Sequence, residues 1–286
     1  MANLKEIRNR IASVSSTMQI TSAMKMVSAA KLKKAQDAIT AMRPYADTLT
    51  QLLQNLSASI EDASGSAYAT ERPVKKVLLV AISSNRGLCG GFNSNIIKEV
   101  QAQSKGKYDG KTIGVYAIGK KGNDMLSKEL NVVANRSDVF DQLTFEEVSS
   151  VAEHLMELFV SGDYDRIDLV YNRFKNAATQ LVTSEQFLPI VPLQAEETTT
   201  TDYIYEPQQS EIVNTLIPKA LKTQLFKAIR DSFASEHGAR MTAMHKATDN
   251  ATELRNQLKL TYNKARQAAI TNEILEIVGG AEALNG

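Results

Sequence analysis

Apolar residues return every three or four positions at the start of this chain. Leu4, Ile7, Ile11, Val14 and Met18 open the series, and Leu32, Ala35, Ile39, Met42, Ala46, Leu49, Leu53 and Leu56 continue it in the same register. A sustained 3.5-residue repeat predicts one long helix with a seam suited to a left-handed supercoil. Three polar residues, Thr21, Lys25 and Ser28, interrupt that seam. Pro44 predicts a kink, because it removes a backbone donor and crowds the preceding turn. At about 1.5 Å per residue the arm spans roughly 80 Å, and it cannot bury its seam against itself. It needs a partner helix.

The other end of the chain supplies one. A second helical arm is expected after Pro207, with Ser210 as its cap and Glu211 in its first turn, running to a stop at Gly279-Gly280. Leu254, Leu258, Ala265, Ala268 and Leu275 are its expected seam, and Pro218 an early break.

Between the arms the period changes. Lys76–Ser83 (KVLLVAIS), Lys111–Ile118, Arg166–Tyr171 and Gln180–Phe187 read as strands. Ser94–Gln103, Asn123–Glu129 and Thr144–Val160 read as helices. Strands alternating with helices predict an open, mostly parallel sheet with helices packed on it. Glu196–Glu206 reads as an exposed connection. Glycine marks the same divisions. It is absent from Met1 to Ser64, frequent from Gly65 to Gly162, and represented from Asp163 to Val278 only by Gly238. A glycine inside a helix costs about 1 kcal/mol, so glycine-poor ends flanking a glycine-rich middle imply helix, mixed domain, helix. The expected boundaries are 1–60, 74–195 and 208–286.

Composition narrows the function classes. The formal net charge of +1 gives no global field for nucleic acid. Residues 1–34 are locally basic, with Lys5, Arg8, Arg10, Lys25, Lys31, Lys33 and Lys34 against Glu6 alone. Without interleaved aromatics that stretch reads as a solvated helix face or a protein contact. The single cysteine, Cys89, excludes an intrachain disulfide. No apolar run reaches membrane-span length, and no signal peptide is expected.

Ser83–Asn93 (SSNRGLCGGFN) follows a strand and precedes a helix, where backbone amides can cradle a phosphate. It lacks both the P-loop ending and the dinucleotide glycine spacing, and reads best as a tight turn with Asn93 or Ser94 as cap. Cys89 has no neighbouring histidine to act as a base. His154, His237 and His245 are scattered and do not suggest a metal site. No cofactor is expected. The apolar segment Glu273–Leu284 (EILEIVGGAEAL) is the strongest candidate for insertion into another protein.

These motifs together resemble the gamma subunit of the rotary F-type ATP synthase. The resemblance is carried by IRNRIASVSSTMQITSAMKMVSAAKLKKAQ (Ile7–Gln36), RPYA (Arg43–Ala46), SNRGLCGGFN (Ser84–Asn93), DYIYEP (Asp202–Pro207), ARMTAMHKATDNA (Ala239–Ala251) and YNKARQAAITNEILEIVGGA (Tyr262–Ala281). It covers essentially the whole chain in order. It implies a long antiparallel two-helix coiled coil formed by the N- and C-terminal arms, plus a central Rossmann-like α/β domain. It implies a non-catalytic central rotor stalk that couples ion-driven rotation of a membrane ring to ATP synthesis or hydrolysis on other subunits. The implied partners are the alpha and beta subunits, epsilon and the membrane c-ring, with one copy of this chain per complex. The implied location is the cytoplasmic face of a bacterial cell membrane. By resemblance, Arg240, Gln267, Thr271 and Glu273 contact the moving loops of the catalytic subunit, and Met24 and Lys25 lie near that zone. Ile274, Leu275, Ile277 and Val278 turn in an apolar sleeve, and Tyr203 and Tyr205 sit at the foot. Two other readings remain open: a nucleotide-binding α/β enzyme with helical dimerisation arms, and a coiled-coil scaffold without rotary function.

Overall fold

The structure is a computed structural model that describes residues 4–59, 67–70, 72–190 and 209–285. The chain divides into two compact units, one of Met1–Ser28 with Met241–Gly286 and one of Ala29–Arg240. Helix α1 (Leu4–Ser59) and helix α5 (Gln209–Asn285) contribute to both.

In the first unit the arms run antiparallel. Arg8 meets Tyr262, Met18 meets Thr252, Thr21 meets Thr248, and Lys25 meets His245, so each step forward in α1 is a step back in α5. The seam of α1 keeps the expected register: Ile7, Thr21 and Ser28 are buried, and Leu4, Ile11, Val14, Met18 and Lys25 are half-buried. The expected seam of α5 needs correction. The covered positions are Met244, Thr248, Ala251, Arg255, Leu258, Tyr262, Ala265 and Ala269, while Leu254, Ala268 and Leu275 face outward. The spacing is still three and four. The seam escaped a hydrophobic reading because Thr248, Arg255 and Tyr262 occupy it.

In the second unit a five-stranded sheet has the order β3-β2-β1-β4-β5. Strands β1 (Lys76–Ile82), β2 (Thr112–Ile118), β3 (Asn131–Asn135) and β4 (Arg166–Phe174) are parallel, and β5 (Gln180–Leu188) is antiparallel to β4. Helices α2 (Phe92–Lys105), α3 (Lys120–Leu126) and α4 (Phe145–Val160) connect them. Successive side chains on β1 point to opposite faces. Leu78, Val80 and Ile82 join α4 and the α5 residues Leu221, Leu225 and Ile229. Val77, Leu79 and Ala81 join Ile96 and Val100 of α2. A strand covered on both faces is apolar throughout, which is why β1 is so clear in the sequence. Burying each of Leu221, Leu225 and Ile229 contributes about 1.5–3 kcal/mol, which fixes this part of α5 to the sheet. Thr144 caps α4 by accepting from the Glu147 amide at 3.3 Å.

Several boundaries differ from expectation. Helix α5 begins at Gln209, so Ser210 lies within its first turn. Both α1 and α5 continue through their prolines, Pro44 and Pro218. Neither Gly279 nor Gly280 stops α5, which runs on to Asn285 through the good helix formers Ala281, Glu282, Ala283 and Leu284. The expected connection Glu196–Glu206, with Tyr203 and Tyr205, lies outside the described residues.

Candidate partner-contact sites

In doubly wound sheets the ligand crevice opens where strand order reverses. Here that is the carboxyl end of β1, between β2 and β4, and the loop Ser83–Gly91 occupies it. The loop closes on itself. Asn93 Oδ1 accepts from the Ser84 amide at 2.9 Å, Ser84 Oγ donates to Arg86 O at 2.6 Å, and Asn93 Nδ2 reaches Cys89 Sγ at 3.3 Å. Ser83 Oγ accepts from the Gly122 amide at 2.8 Å. A Cβ on Gly119, where φ is +114°, would collide with the Ser83 backbone, so this crossing of two turns requires glycine. Cys89 is buried, and burial pushes its thiol up, away from the reactive thiolate. Leu88 is exposed at φ +62°.

The loop turns the carbonyls of Arg86 and Gly87 toward α5. Arg240 donates to Gly87 O at 3.3–3.4 Å and to Arg86 O at 3.4 Å. It also forms a buried ion pair with Glu236 at 2.7 Å, and its Nη1 faces His237 Nδ1 at 3.4 Å. Burial raises the Glu236 carboxyl above its ordinary range even with Arg240 beside it. Burial, then the charges of Arg240 and Lys31, lowers His237 to about 4, so its imidazole is neutral and accepts from Arg240 through Nδ1. The ring stands edge-on to Phe233 at 4.5 Å. Arg240 is thus 7% exposed and held within its own unit. Sequence reasoning did not single out Glu236, and weighed His237 only as a metal ligand. The spacing of four between Glu236 and Arg240 was the available signal.

The other sequence-derived contacts fall in the unit formed by the two ends. Met24 and Lys25 are half-buried on α1, with Lys25 Nζ 3.3 Å from His245 Nδ1. Gln267, Thr271 and Glu273 are exposed on α5, and Thr271 Oγ1 donates to Gln267 O at 3.0 Å. Ile274, Leu275, Ile277 and Val278 are 55%, 63%, 66% and 50% exposed. The structure therefore brings the exposed Gln267, Thr271, Glu273, Ile274, Leu275, Ile277 and Val278 together near the end of α5 and places Arg240 in the other unit. Exposed Ile20, Met26 and Val27 on α1 were not singled out from the sequence. Their apolar character off the seam positions was the signal.

The profile of the family described as ATP synthase matches residues 3–284. The ATP synthase gamma chain of Flavobacterium johnsoniae is 74% identical over 287 residues, covering 100% of both chains. The chain belongs to the ATP synthase gamma chain family. Its fold agrees with solved members of such complexes. The central stalk/c-ring structure of Tetrahymena thermophila mitochondrial ATP synthase matches with a TM-score of 0.58 and 26% identity, over 80% of this chain and 99% of that one. The rotor of Euglena gracilis mitochondrial ATP synthase matches with a TM-score of 0.67 and 22% identity, over 93% and 98%. A gamma chain is a subunit of the ATP synthase complex. Among the described residues, no helix is long and apolar enough to cross a membrane.

Proposed function

We propose that this gamma chain is the turning central stalk of its complex, transmitting rotation of a membrane c-ring to nucleotide sites on the alpha and beta subunits. The observation that carries the reading is the end of α5, where Ile274, Leu275, Ile277 and Val278 are each half or more exposed in the chain alone. An apolar surface of this kind calls for a cover. An apolar sleeve suits a rotating part, because hydrophobic burial is non-directional and no fixed bonds must break as the helix turns.

Chemically identical sites differ in affinity only when something asymmetric biases them, and linkage makes the bias reciprocal. A two-stranded shaft of unlike helices supplies that asymmetry. Gln267, Thr271 and Glu273 are polar groups free to meet catalytic-subunit loops, with Met24 and Lys25 near the same zone. Arg240 reaches such a loop only by leaving the carbonyls of Arg86 and Gly87. Epsilon and the c-ring bind at the foot, where Tyr203 and Tyr205 are assigned, and one copy serves each complex. The chain holds no catalytic site of its own. In support, the loop at the switch point closes on itself through Ser84, Arg86 and Asn93, and its Arg86 and Gly87 carbonyls are taken by Arg240. The chain is held peripherally on the cytoplasmic face of a bacterial cell membrane.

The test is truncation after Glu273 in the assembled complex, which removes Ile274, Leu275, Ile277 and Val278. Nucleotide binding is retained, while ATP-driven ion pumping falls several-fold relative to ATP hydrolysis. Disappearance of nucleotide binding from the truncated complex would overturn the placement of that chemistry outside this chain.

A further inference from the structure

Within the Ala29–Arg240 unit, α1, the β4–β5 hairpin and α5 enclose a groove of about 600 Å³. That volume lies in the range of small-molecule sites. Its lining separates by chemistry. Ile39 and Met42 of α1, with Phe174 and Leu181 of the hairpin, supply apolar walls, and Ile39 is buried. Arg173, Lys175 and Lys227 line it as exposed side chains. None of these three cations has an ion-pair partner among the described residues. One carboxylate, Asp231, lies in the floor, 5% exposed and engaged within the chain. Among the described residues that line it, three cations stand against one anion.

Hairpin geometry frames the groove. Gly238 lets the hairpin tip approach α5, since a Cβ there would stand 3.2 Å from the Ala177 backbone. The hairpin strand ends thereby flank Lys227 and Asp231.

We propose that this groove binds an amphipathic organic anion, a carboxylate with an apolar body of fatty-acid type. The exposed cations take the head group and the walls take the body. The lining discriminates among anions. Inorganic phosphate would leave four apolar side chains unused. A nucleotide would bring base and ribose polar groups against the apolar side chains of Ile39, Met42, Phe174 and Leu181, and buried polar groups without partners are costly. An aliphatic or aromatic body needs no such partners.

The chain contains no tryptophan, so Phe174→Trp in the full-length chain makes a reporter that sees this groove and not the exposed end of α5. Leu181→Trp is the second reporter should the first disturb folding, with circular dichroism as the check. Titration with laurate is expected to change the emission saturably. Lys175→Glu combined with Lys227→Glu, both exposed positions, is expected to weaken laurate by about tenfold or more. Dodecanol, with the same body and no charge, is expected to bind about tenfold more weakly than laurate and to ignore the charge reversal. No saturable response to laurate, equal binding of dodecanol, or binding of inorganic phosphate or ATP as tight as laurate each overturns the proposal. Loss of the laurate response on assembly into the ATP synthase overturns it in favour of a segment of another subunit.

Discussion

Two stretches of the same helix reverse the usual relation between hydropathy and burial. From Asp231 to Arg240, α5 carries Asp231, Ser232, Ser235, Glu236, His237 and Arg240, all buried. From Ile270 to Val278 it carries Ile270, Ile274, Leu275, Ile277 and Val278, all exposed. The first stretch is surrounded. Phe233 stacks with Phe140, Gly238 receives the hairpin tip, and Arg240 reaches the loop after β1. The second lies beyond the last covered seam position, Ala269. The difference teaches that the surroundings of a helix decide burial. Glu236 and Arg240 are tolerated inside because an opposite charge and carbonyls meet them, whereas Ser232 Oγ, Ser235 Oγ and His237 Nε2 are buried with no hydrogen-bond partner among the described residues. Apolar groups stay outside where their cover belongs to another chain.

The strongest way to break the comparison is to remove one half of the buried ion pair. Arg240→Leu leaves Glu236 buried without its cation, and loss of one partner of a buried pair costs about 3–5 kcal/mol. A carboxyl whose folded pKa already stands above its unfolded value rises further in the variant. Its favourable protonated form is present at low pH and lost as pH rises through the folded pKa. The deficit in urea unfolding is therefore expected to be largest near pH 8 and to shrink toward pH 5. A deficit independent of pH would show that Glu236 does not carry the charge in this contact.

His237 gives the next largest effect. Its folded pKa of about 4 lies below the usual 6.5, so the unfolded chain binds the proton first as pH falls. Stability present above 6.5 is lost between 6.5 and 4, by roughly 3 kcal/mol in all. His237→Gln keeps an acceptor for Arg240 and does not titrate. Its unfolding free energy is expected to be much flatter between pH 6.5 and 4.5 than that of the parent. Parallel curves would place the acid sensitivity elsewhere.

The glycines sharpen the contrast at smaller scale. Alanine replaces glycine in a helix with a gain of about 0.5–1 kcal/mol. At Gly238 the new methyl lies 3.2 Å from Ala177 backbone atoms, whereas at Gly279 nothing lies within 4 Å. Gly238→Ala is expected to lose about 1 kcal/mol net, because a hairpin must shift. Gly279→Ala is expected to slow amide exchange in the last turns of α5 and leave global unfolding unchanged. Stabilisation by Gly238→Ala would show that the hairpin does not press on the helix.

How much of this was legible depended on the surroundings of each element. β1, β2 and β4 were clear because both faces are buried and the residues are apolar in succession. β3 was missed. Asn131–Asn135 alternates exposed and half-buried at a sheet edge, and its five residues carry asparagine at both ends. The seam of α1 was visible through its interruption, because Thr21, Lys25 and Ser28 kept the register that Ile7 and Leu32 define. The seam of α5 was not, since Thr248, Arg255 and Tyr262 occupy it. For the candidate sites, the uncovered apolar end of α5 was plain in the sequence. The enclosure of Arg240 was not. Beyond Glu236 and His237, its acceptors are backbone carbonyls of Arg86 and Gly87, and no residue type announces a carbonyl.

The hydrogen bond between Arg8 and Tyr262 joins residues 254 apart in the chain. That distance is also a delay. At about 5–20 residues per second of synthesis, roughly 13 to 50 seconds separate the appearance of one partner from the other. Through that interval Ile7, Ile11, Val14 and Met18 have no opposing helix. This early segment is thus among the last to find its native contacts, and its apolar stripe stays without its partner until the final helix is made.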